Sequence, residues 1–172
     1  MIKLSLPLDK KIVGGLKAGD SVLLSGEILT ARDCAHKRLC EMIGRGEPLP
    51  FEVKDAIIYY AGPCPAKPGY ASGSCGPTTS SRMDVYAPVL LDLGLGGMVG
   101  KGEMSDEVRE AIKRNKAVYF AAIGGAGATY GKAIEKSELV AFPDLLSEAV
   151  RKLTVKDFPV VVAYDCKGGS IY

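Results

Sequence analysis

Along this chain, short apolar runs alternate with stretches in which apolar residues return every three or four positions. "DSVLLSG" (20–26) and "DAIIYYAG" (55–62) are compact runs closed by turn residues and predict strands. "AVYFAAIGG" (117–125), "ELVAFP" (138–143) and "FPVVVAYD" (158–165) repeat the form. Between them, Ala35, Leu39, Met42 and Ile43 fall at i, i+4, i+7 and i+8, one face of a helix. Thr30 is its expected N-cap and Arg32 a first-turn residue. A second helix is expected from Thr78 or Thr79, with Met83, Tyr86, Leu90 and Leu93 inward and a kink at Pro88. "MSDEVREAIKRNK" predicts a third, capped by Ser105, its acids first and bases last as the helix dipole prefers. "DLLSEAVRKL" predicts a fourth. Strands alternating with helices are the pattern of an α/β fold, and with no internal repeat or linker a single domain over 1–172 is expected.

Composition narrows the function classes. With 172 residues, 47% hydrophobic and 24% charged, the chain can bury an ordinary globular core. Its 22 basic and 20 acidic residues leave a net charge of +2, without the basic excess of a nucleic-acid binder. No leader pattern opens it and no apolar run is long enough for a bilayer, so a soluble, cytoplasmic protein is expected. The five cysteines (34, 40, 64, 75 and 166) include no C-x-x-C pair. That argues against a disulfide framework, a self-contained zinc site, or an iron–sulfur cluster held wholly by this chain.

The glycine-rich segments fail both nucleotide fingerprints. A P-loop ending at Lys132 needs glycine where Ala126 stands and a hydroxyl where Ala133 stands. G-x-G-x-x-G meets Tyr130 from Gly125 and Val99 from Gly94. His36 is the only histidine, which excludes multi-histidine chemistry and leaves it a structural or surface role. Cys166 and Lys167 in "DCKGG" read as a strand-end turn as readily as a site. The longest irregular stretch, 62–77, leads into "TTSSR", and a loop of that length is usually functional or mobile. Arg32 and Arg82 are both expected at helix starts, and Lys101 at a glycine-rich strand end. Free N–H groups at a helix start favour anions, and an arginine fork suits a carboxylate or phosphate bidentately. With the hydroxyls of 78–81 among them, these three cations suggest a clamp for a small anion carrying more than one negative group.

"GDSVLLSGEILTARDCAHKR", "IIYYAGP", "GPTTSSRMD", "GGMVGKGEM" and "AVYFAAIGGAGA", in that order, resemble the β subunit of class I fumarase and L-tartrate dehydratase over nearly the whole chain. The resemblance implies a three-layer swivelling β/β/α domain and a hydro-lyase that dehydrates a 2-hydroxy dicarboxylate such as (S)-malate. It implies a 4Fe–4S cluster held by three cysteines of a partner α subunit, acting as a Lewis acid on the leaving hydroxyl. The chain is then half of a hetero-oligomeric enzyme, without activity alone. Carried over by position, Arg32 and Arg82 bind the substrate, Lys101 joins them, and Thr78 is the base for the C3 proton or else a hydrogen-bond donor to a carboxylate. Cys75, just before "GPTT", is expected as a buried thiol or a redox-sensitive neighbour of that site. Tartrate specificity, or an anion-binding module without catalysis, are the competing readings.

Overall fold

The computed structural model describes residues 1–123 and 125–172; Gly124, next to last in the 117–125 strand pattern, lies outside them. The elements are β1 (Ile2–Ser5), α1 (Lys10–Gly15), β2 (Ser21–Thr30), α2 (Asp33–Gly44), β3 (Ile57–Tyr59), α3 (Ala87–Asp92), β4 (Gly97–Gly100), α4 (Asp106–Arg114), β5 (Val118–Ala121), α5 (Gly127–Ala133), β6 (Ile134–Ala141) and β7 (Val150–Tyr164). β1 to β5 lie side by side in chain order, all parallel. The 15-residue β7 runs antiparallel to β2, β5 and β6, so the pairing passes from β2 through β3, β4, β5 and β7 back to β2.

Alternate side chains divide the core in two. Ile57 and Tyr59 of β3, Val99 of β4, and Val118 and Phe120 of β5 face one apolar cluster; Ile58, Met98 and Tyr119 face the other. Burial on both faces explains why these strands are almost wholly apolar, as parallel strands usually are. Leu153, Val155 and Phe158 of β7 join Val13 of α1 and Tyr130 of α5 in the first cluster. Ala35 of α2, Leu90 of α3, and Val108 and Ile112 of α4 cover the second. The first face is thus backed by β7 together with α1 and α5, and the second mainly by α2, α3 and α4.

The expected strands form, and α4 starts as expected, Ser105 accepting from the Val108 N–H. Three expectations fail. Thr30 is not the cap of α2: it continues β2, where its hydroxyl accepts from the Arg151 N–H at 3.1 Å, so Arg32 becomes the N-cap instead of a first-turn residue. The second helix does not start at Thr78 or Thr79. Ser80–Met83 forms a 3-10 turn, and α3 begins afresh with Pro88 in its first turn, where a missing N–H costs nothing, so proline starts this helix and does not kink it. Leu93 is 47% exposed while Leu91 is buried. Finally, "DLLSEAVRKL" is no helix: Pro143–Glu148 is a 3-10 turn broken by left-handed Leu146, and Val150 to Leu153 open β7, clamped between β6 and β2. Pairing on both sides outweighs a helical spacing that the same apolar residues also satisfy.

Candidate functional site

The parallel strands β2, β3 and β4 end on one side of the sheet, where ligands of α/β sheets commonly bind. Two residues after β2 comes Arg32; immediately after β4 comes Lys101. The "TTSSR" segment is sewn between them by its backbone. The Thr78 N–H donates to the Tyr60 carbonyl (2.7 Å), the Ser80 N–H to the Lys101 carbonyl (2.9 Å), and the Lys101 N–H to Ser80 Oγ (2.9 Å). The buried Tyr119 hydroxyl lies 2.8 Å from Ser80 Oγ and donates to the Gly102 carbonyl. Glycine is required at position 100, because a Cβ there would collide with the Ser80 hydroxyl and the Tyr60 ring. These bonds hold Thr78 and Lys101 on adjacent backbones, with Thr79 bridged to Lys101.

The two arginines converge on one acid. Asp33, the first residue of α2, accepts from Arg82 Nε at 2.9 Å and Nη2 at 3.2 Å, across 49 residues of chain. Arg32 Nε stands 4.0 Å from Asp33 Oδ2, beyond hydrogen-bond reach, and is a buried donor without a partner among the described residues. Gly62 makes room for it: a Cβ there would come within 3.0 Å of Arg32 Nη1 and 2.9 Å of the Ser147 carbonyl. Partial burial works against the charge on Asp33, but the Arg82 hydrogen bonds hold its carboxyl below the usual range. Glu148 accepts from the Cys34 N–H at 3.3 Å, in the first turn of α2. Its charge pushes the Cys34 thiol up, away from thiolate chemistry.

The structure brings Arg32 and Arg82 to the carboxylate of Asp33, and sets Thr78 one residue before Thr79, whose backbone is bridged to Lys101. Asp33 and Glu148 were missed. Asp33 stands next to Arg32 in the sequence, but its partner is 49 positions away; Glu148 sat in a segment expected to be helical. Cavities of about 540, 440 and 350 Å³ are lined by other residues. Arg82 and Lys101 are exposed, and Arg32 and Thr78 half-buried.

Cys75 is the buried thiol of the two alternatives. Its N–H donates to the Gly127 carbonyl, its own carbonyl accepts from the Tyr59 hydroxyl, and burial pushes its thiol up to about 12. Cys166 and Lys167 belong to a turn tied by Asp165, which accepts from the N–H groups of Ala18, Lys167 and Gly169.

His36 is structural. It is fully buried, edge-on to Tyr60 with ring centroids 5.3 Å apart, and its Nδ1 bonds to the Arg32 carbonyl at 2.8 Å. Burial pushes its pKa down from 6.5 to about 4. The folded state then refuses a proton that the unfolded chain accepts, so stability is full above pH 6.5 and falls as the pH drops toward 4. The loss should reach about 3 kcal/mol across that window. Urea unfolding at pH 7 and pH 5 should show His36→Asn losing less stability on acidification than the native chain; equal losses would contradict this.

Among the described residues, no helix is long and apolar enough to cross a membrane. Nor do three His, Cys, Asp or Glu side chains among them gather into a group that could hold a metal ion, so these residues do not fit a holder of the implied cluster.

The family model of the fumarase C-terminus matches residues 1–172. The chain is 41% identical over 176 residues to fumarate hydratase 2 of Leishmania major, covering 99% of this chain and 31% of that protein. It is 43% identical over 152 residues to the aerobic class I fumarate hydratase of Escherichia coli, covering 87% of this chain and 28% of that one. It is 42% identical over 171 residues to the putative L(+)-tartrate dehydratase subunit beta of Methanocaldococcus jannaschii, covering 96% of this chain and 88% of that subunit. The chain thus spans about a third or less of the fumarate hydratases just named, and nearly all of the tartrate dehydratase subunit.

Proposed function

The chain belongs to the fumarase C-terminus family, and on that premise we propose that it is the β part of a hydro-lyase that reversibly dehydrates (S)-malate to fumarate. The observation that carries this reading is the convergence of Arg32 and Arg82 on a single carboxylate, with Arg32 Nε lacking a partner among the described residues. A buried donor of that kind needs an acceptor. In this reading a substrate carboxylate meets the accessible part of the Arg32 fork, on a side chain 29% exposed, beside an Nε that is itself closed to solvent.

In this reading Arg32, Arg82 and Lys101 hold the carboxylates of the diacid. Thr78, as its alkoxide, takes the proton from C3, the electron pair of the broken C–H bond becomes the new double bond, and the hydroxyl leaves C2 with its own bonding pair. The proton taken by Thr78 is returned to solvent and one from solvent joins the leaving hydroxide, so the net loss is one water. Negative charge builds on the carboxylate beside C3 as the proton leaves, and fixed cations aimed there stabilise the transition state more than the ground state. A threonine hydroxyl is a poor base by itself. The cations of Arg82 and Lys101 favour its alkoxide.

With Arg82 and Lys101 exposed, these residues are proposed to form half of a site, the other half coming from an α subunit that carries the 4Fe–4S cluster. The likeness to a protein named subunit beta supports that partnership. In the same proposal the chain is a single three-layer β/β/α domain that swivels against the partner, with β7, α1 and α5 filling the first cluster and α2, α3 and α4 covering the second. The same likeness favours a second reading, L-tartrate as substrate.

The lone chain is expected to be inactive and free of iron and sulfide, and to gain activity with the α subunit. Assaying the assembled pair against malate, fumarate and both tartrate isomers chooses the substrate. Stoichiometric iron and sulfide in the lone chain would contradict the division of labour. No turnover of any of the four by a cluster-loaded pair would leave only an anion-binding module.

A further inference from the structure

Asp33 grips Arg82 from one side only. A guanidinium has five N–H donors in one plane, and the pairing of Nε with Oδ1 and Nη2 with Oδ2 uses two of them. The end of the fork, both hydrogens of Nη1 and the second of Nη2, makes no hydrogen bond among the described residues. Arg82 stands on a four-residue 3-10 turn with its side chain 47% exposed, where a free arginine would wander among rotamers. Asp33, by contrast, is fixed at the start of a 12-residue helix whose Ala35, His36 and Leu39 are buried. The acid is therefore the rigid member of the pair and the arginine the one being held.

We infer that Asp33 is a positioning residue: it holds Arg82 by the Nε–Nη2 edge so that the opposite edge faces a substrate carboxylate, and it acts on the reaction only through Arg82. This deepens the reading above and rests on the part given there to Arg82. Two simpler roles would behave differently. An acid that merely dilutes the positive charge would, once neutralised, let a diacid bind more tightly. An acid that plugs the site would, once removed, raise the rate. Positioning predicts a lower rate, because a misplaced cation no longer meets the charge that develops as the C3 proton leaves.

The test is a double-mutant cycle in the assembled α and β pair, using malate and fumarate and reading kcat and KM separately. Asp33→Ala should lower kcat roughly 10- to 100-fold, the cost of misplacing a group by about an ångström, with a smaller change in KM. Asp33→Ala combined with Arg82→Ala should be no slower than Arg82→Ala alone. Asp33→Glu, which keeps the carboxylate, should recover part of the rate. Additive losses, an unchanged or faster Asp33→Ala enzyme, or a costly Asp33→Ala beside a silent Arg82→Ala would overturn the inference. A silent Arg82→Ala also removes Arg82 from the substrate site, whereas a costly Arg82→Ala with a silent Asp33→Ala leaves that site standing and removes only Asp33.

Discussion

Replacing Thr78 by alanine in the assembled enzyme is expected to lower kcat about 10²- to 10⁴-fold while KM moves little, the scale of a positioned general base. The expectation rests on where Thr78 is held. Its N–H is tied to the end of β3 through the Tyr60 carbonyl, and its neighbours are pinned to Lys101 by backbone bonds and the Ser80 hydroxyl. Deleting its hydroxyl therefore removes the chemistry without loosening the segment. If Thr78 only donates a hydrogen bond to a carboxylate, the loss falls on substrate and transition state alike, and KM rises while kcat stays near its native value. Steady-state kinetics of Thr78→Ala and Thr78→Ser separate the two, since serine keeps the hydroxyl and should keep much of the rate.

Arg82→Ala should lower kcat/KM by roughly 10- to 100-fold, corresponding to the loss of a charged hydrogen bond worth about 1.5–3 kcal/mol. Arg82→Lys should recover only part of this, because an ammonium brings the charge without the planar fork that takes one carboxylate on each edge. The variant should fold normally. Arg82 is largely exposed, and an ion pair at that exposure contributes little to stability. Native kinetics in Arg82→Ala would remove it from the substrate site.

The strands were legible wherever burial on both faces forces an unbroken apolar run, as in β3 and β5. They were illegible where long-range pairing decides. Val150 to Leu153 satisfy a helical spacing as well as a strand, and only β6 and β2 on either side select the strand. Thr30 reads as a cap by its residue type, yet its hydroxyl is engaged across the sheet by Arg151. The site divides in the same way. Arg32, Thr78, Arg82 and Lys101 are visible as residue types in recurring motifs, because their place follows from strand ends and the segment just after them. The carboxylates of Asp33 and Glu148 are not, since each acts on a partner far along the chain, 49 and 114 residues away.

The central claim is that the guanidinium groups of Arg32 and Arg82 grip the two-carboxylate substrate once a cluster-bearing subunit completes the cavity. Its most direct test is the structure of the assembled pair with an unreactive dicarboxylate bound. The account predicts nitrogens of both guanidiniums within about 2.7–3.2 Å of the ligand's carboxylate oxygens. A ligand seated elsewhere, with both side chains turned out to solvent, would contradict it.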